Sequence, residues 1–235
     1  MVEQTGNYKD TKFRGIRKRI AEKMIFSSRE NASFTQCRRA DVTEFLKLRA
    51  KKKIEYAEQD IKVPSINDIV LKATALALRE HPGLNSTFED KIIRTYEDIN
   101  LNMAVTLPEG LITPVIPNVD KLSIWDISKL TKEAAQKARE GTLTIEDITG
   151  GTFTVTNVGM VKIEVATPII NSPQVGILAF GTIVPELQRV DGEIVDSFKM
   201  FLSLTVDHRI IDGYPAAVFL NSVCDILENP AVLWE

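Results

Sequence analysis

The strongest constraint on this fold lies in the last third of the chain. Two apolar runs, Val175 to Thr182 and Met200 to Val206, flank Asp191-Gly192. Val190 and Ile194 bracket that dipeptide, which favours the tight turn of a β-hairpin. Each run has the length of a strand and is too short to cross a membrane. They therefore predict adjacent strands inside a sheet, with the first at its centre. The second strand runs straight into Thr205-Val206-Asp207-His208-Arg209-Ile210-Ile211-Asp212-Gly213. An amphipathic helix follows, carried by Ala216, Phe219, Leu220, Val223 and Leu227 and stopped before Pro230. The chain must deliver a histidine at the junction of a strand and a helix.

The other elements follow from the same rules. Ile16, Ile20 and Met24 form one apolar stripe, and Val42, Phe45, Leu46 and Leu48 begin another that ends in Lys51 to Lys53. Ser65 and Asp68 have capping-box spacing before the run Ile69 to Leu78, which ends near His81-Pro82-Gly83. Ser123 and Asp126 repeat that signal before a helix to about Glu140. Leu101 to Leu107 and Leu111 to Ile116 flank Pro108-Glu109-Gly110 as a hairpin, and Thr152 to Thr156 reads as a strand. Helices interspersed with hairpins predict an α/β or α+β domain, a mixed sheet with helices packed on it. Residues 1–12 read as the end of a linker, and 13–235 as one domain.

Composition narrows the function. With 44% hydrophobic and 26% charged residues and a net charge of −3, the 235-residue chain reads as globular, with no general case for nucleic-acid binding. The runs Arg17 to Arg19 and Lys51 to Lys53 read as solvated helix faces. No apolar stretch is long enough to span a membrane, and no apolar signal region opens the chain. The expected compartment is the cytoplasm, or an organelle matrix. Cys37 and Cys224 make no disulfide framework and are expected reduced and buried. Two histidines, His81 and His208, offer no metal-ligand spacing, so no metal is expected. His81, in a helix-ending His-Pro-Gly, reads as structural.

Asp207-His208-Arg209-Ile210-Ile211-Asp212-Gly213 resembles the active-site signature of the dihydrolipoyl acyltransferases, the core components of 2-oxoacid dehydrogenase complexes. Gly150-Gly151-Thr152-Phe153-Thr154-Val155-Thr156-Asn157-Val158-Gly159 resembles a second segment of that family. Arg14 to Ala21, Gly110 to Val115, Thr167 to Pro173 and Gly176 to Gly181 match in order. No single segment is specific, but six in order over Phe13 to Trp234 are.

The resemblance implies a fold like chloramphenicol acetyltransferase, assembled as homotrimers that build a hollow cage. The active site is expected in a channel between subunits, with coenzyme A entering at one end and lipoamide at the other. His208 is expected to be the general base, Thr156 the donor to the oxyanion (many relatives carry serine there), and Asp212 a structural support that fixes the turn or holds an arginine. Arg49, Ser65, Asn157, Gly181 and Thr182 fall where the family contacts coenzyme A; Ser65 also serves as a plain helix cap. The lipoyl group would ride on a separate domain, because Asp90-Lys91-Ile92 and Asp120-Lys121-Leu122 lack a lipoyl domain around them. The expected partners are that lipoyl domain and the dehydrogenase subunits of the complex.

Two rivals remain. Other acyltransferases of the fold and peptide-synthetase condensation domains resemble His-His-x-x-x-Asp-Gly, whereas Asp207 occupies the first position here. An inactive cage scaffold should lack the base. Finally, the apolar end Val232-Leu233-Trp234 is expected to dock into a neighbouring trimer, with folding back onto its own core as the alternative. On the docking reading, deleting residues 232–235 leaves discrete active trimers.

Overall fold

A computed structural model describes residues 6–59, 61–108 and 110–234. Five helices form: α1 Ile16–Glu30, α2 Thr43–Glu55, α3 Ile66–Glu80, α4 Ile124–Glu140 and α5 Gly213–Glu228. The strands are β1 Ser33–Asp41, β2 Ser86–Glu89, β3 Ile92–Thr95, β4 Leu101–Met103, β5 Val105–Leu107, β6 Gly110–Ile112, β7 Val115–Ile116, β8 Phe153–Asn157, β9 Gly176–Val190 and β10 Glu193–Asp207. Six of them make one sheet in the order β1-β10-β9-β8-β4-β7. The β4/β8 and β8/β9 pairs are parallel and the rest antiparallel, so the sheet is mixed as expected. The central strands β9 and β8 supply fully buried residues including Leu178, Phe153 and Val155.

The local signals act where the sequence places them. Ser65 caps α3 by accepting from the Asp68 backbone N–H, while the Asp68 carboxylate accepts from the Ser65 N–H at 2.7 Å. The capping ties two otherwise orphaned donors to one turn. Ser123 caps α4 in the same sense, though its hydroxyl also donates to Asp126. Asp191 and Gly192 both take positive φ in the β9–β10 turn, the conformation a two-residue hairpin requires. His81 ends α3 with its ring nitrogen 2.9 Å from the Ser222 hydroxyl, a structural contact.

Three features differ from expectation. The hairpin around Pro108-Glu109-Gly110 is split in two. β5 and β6 pair with each other, whereas β4 and β7 pair inside the main sheet; Glu109 itself lies outside the described residues. Cys224 is buried, which pushes its thiol up to about 12, but Cys37 is exposed on the edge strand β1. Both are free thiols, as expected.

The third difference is the C-terminus. A short 3-10 turn over Pro230–Trp234 returns the chain to its own core. Leu233 is 1% exposed, and the Trp234 ring packs edge-on against Trp125, 5.9 Å between centroids. Val232 stays exposed. Leu233 and Trp234 are thus covered by their own chain, and Val232 is left for a neighbour to cover. Truncating Leu233→Ala should cost about 2–5 kcal/mol of stability through lost burial and a residual cavity. Urea unfolding measures this; a loss under about 1 kcal/mol would place Leu233 outside the core.

Candidate active site

The strand-end histidine is built from the sheet outward. β10 pairs with β1 along its last nine residues, ending in Ser33 opposite Asp207. The ladder continues one step further, with the His208 N–H donating to the Ala32 carbonyl at 2.9 Å. The imidazole tilts against Phe34, 4.6 Å between ring centroids, and its side chain is half-exposed at 51%. It is thus held from behind and open in front, as a group that must meet a substrate should be.

Beneath it lies an ion pair that the sequence reading missed. Asp207 is buried at 2% exposure. Its carboxylate accepts from the Arg209 Nε at 3.0 Å and Nη2 at 2.6 Å, and from the Arg209 backbone N–H at 3.1 Å. The hydrogen bond to Asp207 holds the Arg209 guanidinium more firmly protonated than a free arginine. Arg209 also donates to the Asn31 side chain at 3.0 Å and stacks over Phe88 at 4.9 Å. This clamp fixes the residues on both sides of His208. A buried carboxylate needs such a partner.

Asp212 sits differently from expectation. It occupies the N-cap position of α5 but makes no side-chain cap bond, and its side chain is 83% exposed. Its oxygen is 3.6 Å from His208 Nδ1, too long for a hydrogen bond. Of its two expected supporting roles, holding an arginine falls instead to Asp207, which pairs with Arg209.

Thr156 lies on β8, on the face opposite the helices. Phe153 of that strand packs on Phe219 of α5, and side chains alternate, so Thr154 and Thr156 point the other way. That face carries small groups, among them Ala179, Ser203 and Thr205, with Thr205 bonded to Thr35 at 2.8 Å. The register separates Thr156 from His208. Thr156 is level with Ala179, and Ala179 with Ser203, five residues before His208. Five residues of strand and two strand spacings put their backbones roughly 19 Å apart. One chain therefore does not bring the two together.

The remaining expected residues divide. Ser65 and Asn157 line a common cavity of about 590 Å³ between α3, α4 and the end of β8. Arg49 stands beside it, its Nε donating to the Pro64 carbonyl at 2.9 Å. Gly181 and Thr182 do not line this cavity. A β-carbon at Gly181 would overlap the Glu164 carbonyl, and the Thr182 N–H donates to Ile163 at 2.8 Å. Both positions let the segment after β8 pass close over β9. Gly151 has a similar reason: a β-carbon there would strike the Asn102 amide, which accepts from Gln174 at 2.6 Å. Among the described residues no group of three His, Cys, Asp or Glu side chains could hold a metal, and no helix is long and apolar enough to cross a membrane.

A mixed sheet with helices and a histidine at the end of its second strand from the edge defines a class. Chloramphenicol acetyltransferase has this fold: it superposes on 88% of the chain and 94% of its own with a TM-score of 0.56 at 18% identity. More specifically, residues 5–234 match the 2-oxoacid dehydrogenases acyltransferase (catalytic domain) family, and the chain belongs to it. The chain is 40% identical over 222 residues to the dihydrolipoyllysine-residue acetyltransferase component of the pyruvate dehydrogenase complex of Mycoplasma capricolum, covering 94% of this chain and 50% of that protein. It is 38% identical over 227 residues to the succinyltransferase component of the mitochondrial 2-oxoglutarate dehydrogenase complex of Saccharomyces cerevisiae, covering 95% and 49%. It thus spans about half the length of these curated relatives.

Two solved structures are also similar. The cubic core of a pyruvate dehydrogenase multienzyme complex matches with a TM-score of 0.90 at 28% identity, over 97% of this chain and 95% of that one. The dihydrolipoamide acetyltransferase of Azotobacter vinelandii matches with a TM-score of 0.90 at 29% identity, over the same shares. In that enzyme a serine, a histidine and an asparagine have been investigated for their role in the catalytic mechanism. Its histidine stands fifty-two residues after the serine and four before the asparagine.

Proposed function

We propose that this chain is the catalytic core of a dihydrolipoyllysine-residue acyltransferase, moving an acyl group between dihydrolipoamide and coenzyme A. The observation that carries the reading is spacing. Thr156, His208 and Asp212 are separated by fifty-two and four residues, the intervals found between the serine, histidine and asparagine of the Azotobacter enzyme. Here a threonine and an aspartate take the place of the serine and the asparagine. The hydroxyl is kept; the amide becomes a carboxylate.

The chemistry is a thiol–thioester exchange. An ordinary thiol is mostly protonated at neutral pH, and the thiolate is the nucleophile. His208 takes the proton from the coenzyme A thiol as its sulfur attacks the acyl carbon. The carbonyl becomes a tetrahedral oxyanion, to which the Thr156 hydroxyl donates; such a donor is worth roughly 3 kcal/mol in the transition state. As the carbon–sulfur bond to lipoamide breaks, the imidazolium returns its proton to the leaving sulfur. Histidine suits both roles because its ordinary titration range spans neutral pH.

The separation of Thr156 from His208 makes the site a shared one. The hydroxyl of one subunit must meet the imidazole of another, which supports a homotrimer with its active sites between subunits. Assembly of such trimers into a cage, and the partnership with dehydrogenase subunits, rest on the cubic core and the complex components the chain resembles. Residues 1–12 would be the end of a linker to a lipoyl domain that carries the acyl group. The compartment would be the cytoplasm, or the mitochondrial matrix.

Acyl transfer from acetyl-, succinyl- and isobutyryl-coenzyme A to free dihydrolipoamide tests the reading and assigns the acyl group. Turnover with one of the three is expected to exceed the others; no transfer from any of them would overturn it.

A further inference from the structure

A second cavity, of about 780 Å³, lies beside Arg209, the residue after the proposed base. Its walls come from α1, the β2–β3 turn and the Ser172-Pro173 segment. Phe26, Phe88 and Pro173 give it an apolar side, with room for a slender uncharged arm. Two lysines line it: Lys23 on α1, and Lys91 at the tip of the β2–β3 turn, where its φ is 62°.

Lys23 is unlike the other described lysines. Glu22, Glu30, Glu89 and Asp90 share its cavity, yet its ammonium makes no ion pair or hydrogen bond with a described residue. Glu22 turns to Lys18 instead, at 3.7 Å. Protein packed around the Lys23 stem strips water from the nitrogen and holds its pKa below the ordinary lysine value, while the side chain stays open enough to be reached from solvent. Among the described lysines only Lys72 is lowered as well. Its nitrogen is already bonded to the carbonyls of Asp120 and Leu122, at 2.9 and 2.7 Å. Lys23 is thus the described lysine that is both desolvated and unbonded. A desolvated amine in a pocket is an activated nucleophile, and a thioester is an acyl donor to it.

We propose that Lys23 is an acyl-acceptor site, taking an acyl group from acyl-coenzyme A to form a stable amide. The identity of the donor rests on the reading above. The nitrogen lone pair attacks the acyl carbon. The carbon–nitrogen bond forms, the carbon–sulfur bond breaks, and the surplus proton on nitrogen leaves with the thiolate as free coenzyme A. An amide lies below a thioester in free energy, so neither coenzyme A nor dihydrolipoamide takes the group back. The site would fill when the acyl donor is in excess over its thiol acceptor. Each event discharges one cation in a cavity that four carboxylates line.

The test incubates the whole chain with acetyl-coenzyme A, without dihydrolipoamide, and maps the peptides by mass. Hydroxylamine beforehand strips any thioester formed at the exposed Cys37 and leaves amides intact. Lys91 controls for access, since it lines the same cavity. In the folded protein Lys23 should be acetylated roughly tenfold faster than Lys91, and in urea the two should react alike. In Lys23→Arg this fastest site should be lost and the slower ones kept. Equal rates in the folded protein, or a preference for Lys23 that persists in urea, would overturn the proposal. Transfer to dihydrolipoamide without a Lys23 preference would likewise overturn it and leave the acyltransferase reading standing. A folded-state preference for Lys23 in a chain that transfers no acyl group to dihydrolipoamide would do the reverse.

Discussion

Replacing His208 with alanine is expected to lower turnover by about 10²-fold or more. The chain's other histidine, His81, is spent on Ser222 at the end of α3. The fold should survive. The imidazole is half-exposed, and the bond that shapes this turn comes from the His208 backbone N–H, which alanine keeps. The Asp207–Arg209 clamp also remains, since neither side chain depends on the imidazole. The decisive measurement is kcat with the preferred acyl-coenzyme A and dihydrolipoamide on protein that sizes like the parent. Turnover within a few fold of the parent would remove His208 from the mechanism. A large loss accompanied by unfolding would contradict the structure, because nothing in the core rests on this ring except Phe34.

Most of what the sequence makes legible is local. The capping box of α3, the Ser123 cap of α4, the Asp191-Gly192 turn and the stripe of α5 depend on residues within one or two turns of each other, and each forms where its pattern stands. β1 shows the limit. Its inner face carries Gln36 and Arg38, which no alternation rule would bury. Arg38 is tolerable because Asp225 and Glu228 of α5 meet it at 2.8 and 3.3 Å, partners nearly two hundred residues away. Likewise β2 and β3 turn on Asp90 and Lys91, both at positive φ, where no glycine advertises the turn.

The site divides along the same line. His208 was legible because a strand, a turn and a helix follow one another around it. The Asp207–Arg209 pair was not, since a carboxylate next to a histidine gives no sign of which way it points. Asp207 lies on the sheet face of Ser203 and Thr205, where it is buried and needs the guanidinium, while Asp212, past the turn, faces solvent. The tail is ambiguous for a related reason. An apolar end reports that something covers it, and composition alone does not distinguish a neighbour from the chain's own Trp125.

The second large effect concerns Thr156. Thr156→Val is nearly isosteric and keeps the β-branched fit to the strand, but it removes the hydroxyl. Turnover should fall by about 10²-fold with little change in coenzyme A affinity, and Thr156→Ser should stay active. If valine is tolerated, Thr156 is only a strand position. The roughly 19 Å between Thr156 and His208 within one chain makes a further result obligatory. If each site takes its imidazole from one subunit and its hydroxyl from another, two inactive proteins can repair each other. Denaturing His208→Ala and Thr156→Val separately and refolding them as an equal mixture gives trimers in which some sites join an intact histidine to an intact threonine. Random assembly makes roughly a quarter of the sites whole, so the mixture should regain roughly a quarter of the parent's turnover while each protein refolded alone stays inactive. A site completed within one chain cannot be rescued this way. A mixture no more active than its components would show that Thr156 and His208 act in the same subunit or that one of them does not act at all.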